Sequence, residues 1–216
     1  MSINTQDIAA LREKTGAGLL DCKKALEEAG GNIEQAIEIL RKKGIAKAAK
    51  RAGKIAAEGT VASYIHGEGR IGVLVEVNCE TDFVAKTDNF RTLVSEVAMH
   101  IAAAAPQYLS RTEVPLEVIE KEKDVYREQL KNEGKPSEMI EKILEGKIGK
   151  FYSEICLLDQ AFIKDEDKTI DQLLASKTAE IGEKISVRRF ARYQLGEGIE
   201  KETGDFAKEV AAQAGI

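Results

Sequence analysis

The side chains best suited to covalent or metal chemistry in this 216-residue chain are three cysteines, Cys22, Cys79 and Cys156, and two histidines, His66 and His100. The cysteines are odd in number, far apart and without a C-x-x-C pair, so neither zinc binding nor dithiol redox work is indicated. Reduced, buried thiols are the simpler expectation. A Cys–His nucleophile could assemble from Cys79 and either histidine, but no oxyanion-donor loop or orienting third group accompanies them. No His-Glu-x-x-His or paired His/carboxylate spacing supports a metal site, and no cofactor is expected.

Two other patterns invite a functional reading. Gly67-Glu68-Gly69-Arg70-Ile71-Gly72 spells G-x-G-x-x-G, which binds a dinucleotide only where a strand precedes it and a helix follows. Here the strand-like VLVEV follows, so these glycines read as a hairpin turn and a close-packed strand residue. Arg188, Arg189 and Arg192 beside Phe190 and Tyr193 could in principle hold phosphate and stack bases. Strict strand alternation puts Ile185, Val187 and Arg189 on one face and Arg188, Phe190 and Arg192 on the other, which leaves no clean aromatic platform. The net charge of −5, from 32 basic and 37 acidic residues, gives no general attraction to a phosphate backbone.

The most informative stretch is Asn78-Cys79-Glu80-Thr81-Asp82-Phe83-Val84-Ala85-Lys86. An apolar strand ends there, and a phenylalanine next to a carboxylate enters a turn. Such a ring can tuck into the core, or it can serve as a wedge, filling a partner's cleft while the acid perturbs its charges. The residues alone leave both readings open.

The elements that must position these residues follow from periodicity. A helix is expected from Thr5 to Thr15, broken by Thr15-Gly16-Ala17-Gly18. A second carries Leu19, Cys22, Ala25, Leu26 and Ala29 at helical spacing. Gly30-Gly31 ends it, Asn32 caps a third with Ile33, Ala36, Ile37 and Leu40, and Gly44 is expected to stop that one. Leu20 lies off the stripe of the second helix. IAKAAKRAGKIAA, residues 45–57, reads as a solvated helical connector. Thr60–Ile65 and Ile71–Cys79 read as a hairpin, followed by a helix capped at Asp88 with Phe90, Leu93, Val94, Val97, Ala98 and Ile101 on one face. From Pro115, Val118, Glu122, Val125 and Gln129 alternate with charge; a turn at Gly134-Lys135-Pro136-Ser137 leads to a stripe of Ile140, Ile143, Leu144, Ile148 and Phe151. Two such helices suit a projecting antiparallel hairpin. Ala161–Lys164 reads as extended and as a return to the sheet, a helix follows Thr169, Lys184–Leu195 reads as a long strand, and a closing helix is expected at 206–214. The fold class is therefore α+β, with a helical head and a helical arm on an antiparallel sheet packed by helices. No apolar run approaches the ~18 residues of a membrane span, and the charged N-terminus does not suit a signal peptide, so a cytoplasmic protein with no membrane partner is expected.

Two long stretches, Leu11–Leu26 (LREKTGAGLLDCKKAL) and Asn78–Lys86 (NCETDFVAK), carry a resemblance to the bacterial elongation factor Ts family. Shorter pieces at Arg70–Val75, Ala98–Ala103 and Gly196–Lys201 extend it over nearly the whole chain, in order. The resemblance implies a non-enzymatic guanine nucleotide exchange factor that binds elongation factor Tu·GDP. It implies that Thr81, Asp82, Phe83 and Val84 enter the GTPase and dislodge its Mg²⁺, which favours the wedge reading. It also implies docking by Arg12, Leu19, Leu20 and Lys23, with His66 as a weaker contact. The implied organisation is a ubiquitin-associated-like three-helix domain (1–44), a connector (45–58), a core (59–114 and 152–198), a coiled-coil arm (115–151) and a C-terminal helical module (199–216). Many family members carry a duplicated core, and this chain has one copy. A homodimer would restore the missing half, and no direct nucleic-acid partner is expected.

Overall fold

The computed structural model describes residues 4–199; the closing helix expected at 206–214, and the module of which it forms part, lie outside the described residues beyond Ile199. The chain starts with three helices, α1 (Thr5–Thr15), α2 (Leu19–Glu28) and α3 (Ile33–Arg51). Asn4 and Asn32 cap the first and third by accepting from Gln6 N and Gln35 N, and Gly16, at φ +66°, ends α1 in the left-handed conformation that glycine adopts without strain. Leu11, Cys22, Ala25, Leu26 and Ala36 close a small core between them.

The expected stop at Gly44 does not occur: α3 runs on to Arg51. The Ala/Lys-rich segment after the glycine has high helix propensity, which outweighs the ~1 kcal/mol handicap of one helical glycine. That segment is helical as far as Arg51 and largely exposed, and α3 is tied to its neighbours at several points. Lys43 and Lys47 pair with Glu28 and Asp21 of α2, Arg51 pairs with Glu80, and α3 packs on α8 (Ile170–Ile181), where Gly44 faces Ala179.

The body is a three-stranded antiparallel sheet of β1 (Glu58–His66), β2 (Ile71–Cys79) and β5 (Ser186–Gln194), with β2 in the middle. β1 and β2 join through a left-handed turn at Gly67-Glu68-Gly69, so the G-x-G-x-x-G letters are indeed a hairpin leading directly into a strand. Val73, Val75, Val77 and Cys79 face inward onto α5 (Asp88–Ala104), where Phe90, Leu93, Val94, Val97 and Ile101 meet them. The cap of α5 is Thr87, which accepts from Phe90 N, one residue earlier than expected.

The extended segment near Ala161 does not rejoin this sheet. β3 (Ala161–Phe162) and β4 (Asp165–Thr169) pair only with each other and deliver the chain into α8. β5 departs from strict alternation as well. A bulge opposite Glu76/Val77 turns Arg188 and Arg189 to the same outer side, both bound to Glu76 at 2.9 and 2.7 Å, while Phe190, opposite Val75, packs half-buried against the core. An extra residue on one strand shifts every later side chain to the opposite face.

Between core elements, α6 (Leu116–Asn132) and α7 (Ser137–Ile155) pack on each other across the turn at Gly134. The α6 stripe lies one residue on from the expected one. Ile119 and Leu130 are buried and Tyr126 half-buried, whereas Val125 and Gln129 point outward; Arg127 crosses to Glu141 at 3.2 Å.

Candidate functional site

The inward face of β2 is buried up to the strand's last residue, Cys79, and the chain then exits the core. Thr81, in extended conformation, caps the single-turn helix α4 (Asp82–Ala85) by accepting from Val84 N at 3.4 Å. Val84 and Ala85 lie half-buried against the core. This leaves Asp82 and Phe83 on the outer side, with Phe83 79% exposed. Asp82 binds Lys86 at 2.7 Å, and that bond holds its carboxyl below the usual carboxylate range. The ring is therefore not tucked into the core of this chain.

Four residues that periodicity did not single out hold this turn in place. The Glu183 carboxylate accepts from Glu80 N at 3.1 Å, Thr81 N at 3.0 Å and the Thr81 hydroxyl at 2.7 Å. The Glu80 carboxylate in turn accepts from Lys184 N at 2.7 Å and takes a two-pronged bond from Arg51 Nη1 at 3.0 and 2.9 Å. Its pKa is lowered mainly by the Lys184 N–H and further by Arg51. Lys184 Nζ donates to the carbonyls of Ala52 and Lys54 just beyond α3. The exchange joins the ends of α3, β2 and α8, and since Glu183 stands 102 residues from Thr81, no local spacing could reveal it.

One close approach completes the support. Gly59 of β1, at φ +137°, lies opposite Asn78, and a Cβ added there would stand 2.1 Å from the Val77 carbonyl oxygen. Only a glycine lets β1 run this close to the end of β2.

The head carries the other candidates on its surface. Arg12 and Lys23 are exposed, and Leu19 and Leu20 are 59% and 64% exposed. Leu19 thus does not belong to the buried stripe, which starts at Cys22. The Thr15–Gly18 link shapes this edge: Thr15 Oγ1 donates to Leu11 O at 2.7 Å, and Cys22 Sγ to Ala17 O at 3.5 Å. His66 is not brought to the Thr81–Val84 turn. It ends β1 opposite Ile71, eight residues from Glu58 and so ~27 Å along the strand, with Nδ1 on the Tyr64 hydroxyl at 3.1 Å.

The thiol alternative loses its geometry. Cys79 and His66 stand at opposite ends of the hairpin, His100 is fully buried against Gln160, and burial pushes the Cys79 thiol up, away from the nucleophilic form. Of the residues weighed for RNA, Arg188 and Arg189 both pair with Glu76, whose carboxyl they pull down to about 2, Phe190 is half-buried against the core, and Tyr193 is exposed. Among the described residues no group of three or more His, Cys, Asp or Glu could hold a metal ion, and no helix is long and apolar enough to cross a membrane.

The comparisons with known proteins agree over the whole length. A family model described as Elongation factor TS matches residues 4–197. The chain is 60% identical to elongation factor Ts of Geobacter sulfurreducens over 216 residues, all of both chains. It is 61% identical to that of Desulforamulus reducens over 211 residues, 98% of this chain and 97% of the relative, and 60% identical to that of Acetivibrio thermocellus over 211 residues, 98% of each. The exposed Asp82–Phe83 turn and the exposed Leu19 and Leu20 thus stand in a chain that belongs to the elongation factor Ts family.

Proposed function

We propose that this chain is a cytoplasmic guanine nucleotide exchange factor that binds elongation factor Tu·GDP, displaces the Mg²⁺ of that partner and so speeds GDP release. The observation that carries the proposal is Phe83, exposed beside Asp82 on a turn fixed at the exit of the most buried strand. A GTPase holds its nucleotide through backbone N–H groups and a metal ion. A ring inserted beside that cradle distorts it, and a carboxylate brought close disturbs the charges around the metal. Asp82 and Phe83 are the members of Thr81–Val84 free to reach a partner; Thr81 and Val84 hold the turn. Asp82 exchanges Lys86 for groups of the partner as it docks.

The head, taken as a ubiquitin-associated-like module, docks through Leu19 and Leu20, with Arg12 and Lys23 as flanking cations; two adjacent exposed leucines suit an interface centre. His66 is a peripheral contact. The arm of α6 and α7 is taken as a coiled coil. Binding of the exchange factor and of nucleotide oppose each other by the same factor, as linkage requires.

The single core sheet suits a homodimer. Leu74, although on the central strand, is exposed on the outer face, together with Val61, Ile65, Tyr193 and Leu195. A second copy laid sheet to sheet would cover this apolar patch. Neither nucleic acid nor membrane enters the proposed mechanism.

The test is release of a fluorescent GDP from elongation factor Tu in excess unlabelled nucleotide. Acceleration by this chain, and its loss in a folded Asp82→Ala, Phe83→Ala variant, is the expected result. A parent protein without effect would refute the function.

A further inference from the structure

A single helical turn such as α4 has no stability of its own, because nucleation fixes several residues for one hydrogen bond. Its Thr81 cap bond is long, 3.4 Å, and the inner anchors, Val84 and Ala85, lie on its second half. The backbone that leads into the first half, Glu80 and Thr81 just before Asp82 and Phe83, is held instead by Glu183. The β2–β5 ladder ends at Asn78 and Ser186, so the N–H groups of Glu80, Thr81 and Lys184 would be left without strand partners. Each is taken up by a carboxylate from the opposite segment: Glu183 receives those of Glu80 and Thr81, and Glu80 receives that of Lys184. The linker that carries Glu183 is itself fixed, by left-handed Gly182 at the end of α8 and by Ile185 N donating to Thr178 Oγ1 at 3.1 Å. Charged acceptors make such bonds roughly twice as strong as neutral ones, and here three converge on one carboxylate.

We propose that Glu183 is a positioning residue for nucleotide exchange, acting through Thr81 and not by contact with the partner; this rests on the reading of Asp82 and Phe83 as the inserted pair. With Glu183 in place the turn meets the partner already ordered, so docking energy goes into distorting the nucleotide cradle. Without it, ordering of residues 80–83 draws on that same energy. The maximal rate then falls while the head still docks as before.

The experiment compares the parent, Glu183→Ala, Glu183→Gln, Phe83→Ala and the Phe83→Ala, Glu183→Ala double variant, each titrated as exchange factor against elongation factor Tu loaded with fluorescent GDP. Glu183→Ala is expected to lower the maximal release rate at least ~10-fold, as small misplacements of reacting groups do, with the half-saturating concentration changed less than about twofold. Glu183→Gln keeps an acceptor for both N–H groups and a donor for the Thr81 hydroxyl, and is expected to retain most of the rate. In the Phe83→Ala background, removal of Glu183 is expected to cost less than about twofold, since the ring, the larger of the two groups it positions, is gone. If Glu183→Ala is unfolded at the assay temperature, Glu183→Asp, one methylene too short to keep all three bonds, takes its place with the same expected split. An unchanged maximal rate, or an equal loss with and without Phe83, overturns the assignment while leaving the exchange function standing. A parent that does not accelerate release sinks the underlying reading instead.

Discussion

Phe83→Ala separates a wedge from a core residue, because the two roles predict opposite effects on stability and on rate. An enclosed phenylalanine buries ~150–250 Å². With 79% of its surface free in this chain, docking can remove roughly 120–200 Å² more, or ~3–5 kcal/mol at ~25 cal/mol per Å². Ordering and imperfect fit take part of this back, so about 2 kcal/mol is a reasonable net figure. Realised in the release step alone, that is ~30-fold in rate. The free protein should hardly notice the change, since exposed substitutions stay within ~0.5 kcal/mol. The assay is stopped-flow release of fluorescent GDP from elongation factor Tu at saturating exchange factor, with a parallel thermal melt. A release rate within twofold of the parent would refute the wedge, and a melting point lowered by more than ~3 °C would show that the ring supports this chain's own core.

Gly59→Ala should lower stability by ~2–3 kcal/mol, or roughly 5–10 °C in melting temperature, because its Cβ would collide with the Val77 carbonyl; an unchanged melt would mean that β1 can shift away. His100, fully buried, accepts from Ile163 N at 3.4 Å through Nδ1 and pairs with Gln160 through Nε2, and burial depresses its pKa. Its stabilising contribution is therefore complete above the unfolded value of ~6.5 and falls as pH drops below that towards the folded value. In urea unfolding the margin of the parent over His100→Gln should shrink between pH 7.5 and pH 5, and a constant margin would contradict the assignment. Leu74→Asp, placed at the centre of the exposed sheet face, should turn the proposed homodimer into a folded monomer by light scattering; a parent that is already monomeric refutes the dimer.

What the sequence made legible was local. Helix periods, a cap such as Asn32, and the apolar strand Ile71–Cys79 depend on neighbours a few residues away, and the α+β class follows from them. The cap of α5 is off by one residue for local reasons, whereas the larger errors involve effects from distant residues. Gly44 failed to stop α3, which packs on α8 and is pinned to α2 by Lys43 and Lys47. Strict alternation failed in β5 at a bulge registered against Glu76. Phe83 was recognisable as a candidate from its place at a strand exit, but its exposure was not, since that depends on what lies over it. Glu183 and Arg51 gave no pattern at all, and Glu80, although inside the Asn78–Lys86 stretch, gave no sign of its bonds to Lys184 N and Arg51.

These missed residues bear on how one small protein could both dock and distort. An exposed aromatic on a loose loop would bind weakly, because each residue ordered on contact forfeits ~1–2 kcal/mol. Burying Phe83 would avoid that cost but leave nothing to insert. In this reading the fold resolves the conflict by separating the exposed group from its support: Phe83 faces out, while the backbone two and three residues before it is held by Glu183, and Glu80 is held by Arg51 at the end of the helix that also carries the head. The Arg51–Glu80 pair is partly buried on the Glu80 side, 16% exposed against 40% for Arg51, so it is less screened than a free surface pair. Arg51→Ala should therefore do what Phe83→Ala does not, loosening the relation of head to turn. The half-saturating concentration and the maximal rate should both worsen, by about threefold each if the pair is worth ~0.7 kcal/mol to each step. An effect on only one of the two would mean that head and turn act independently, and that Arg51 serves just one of them.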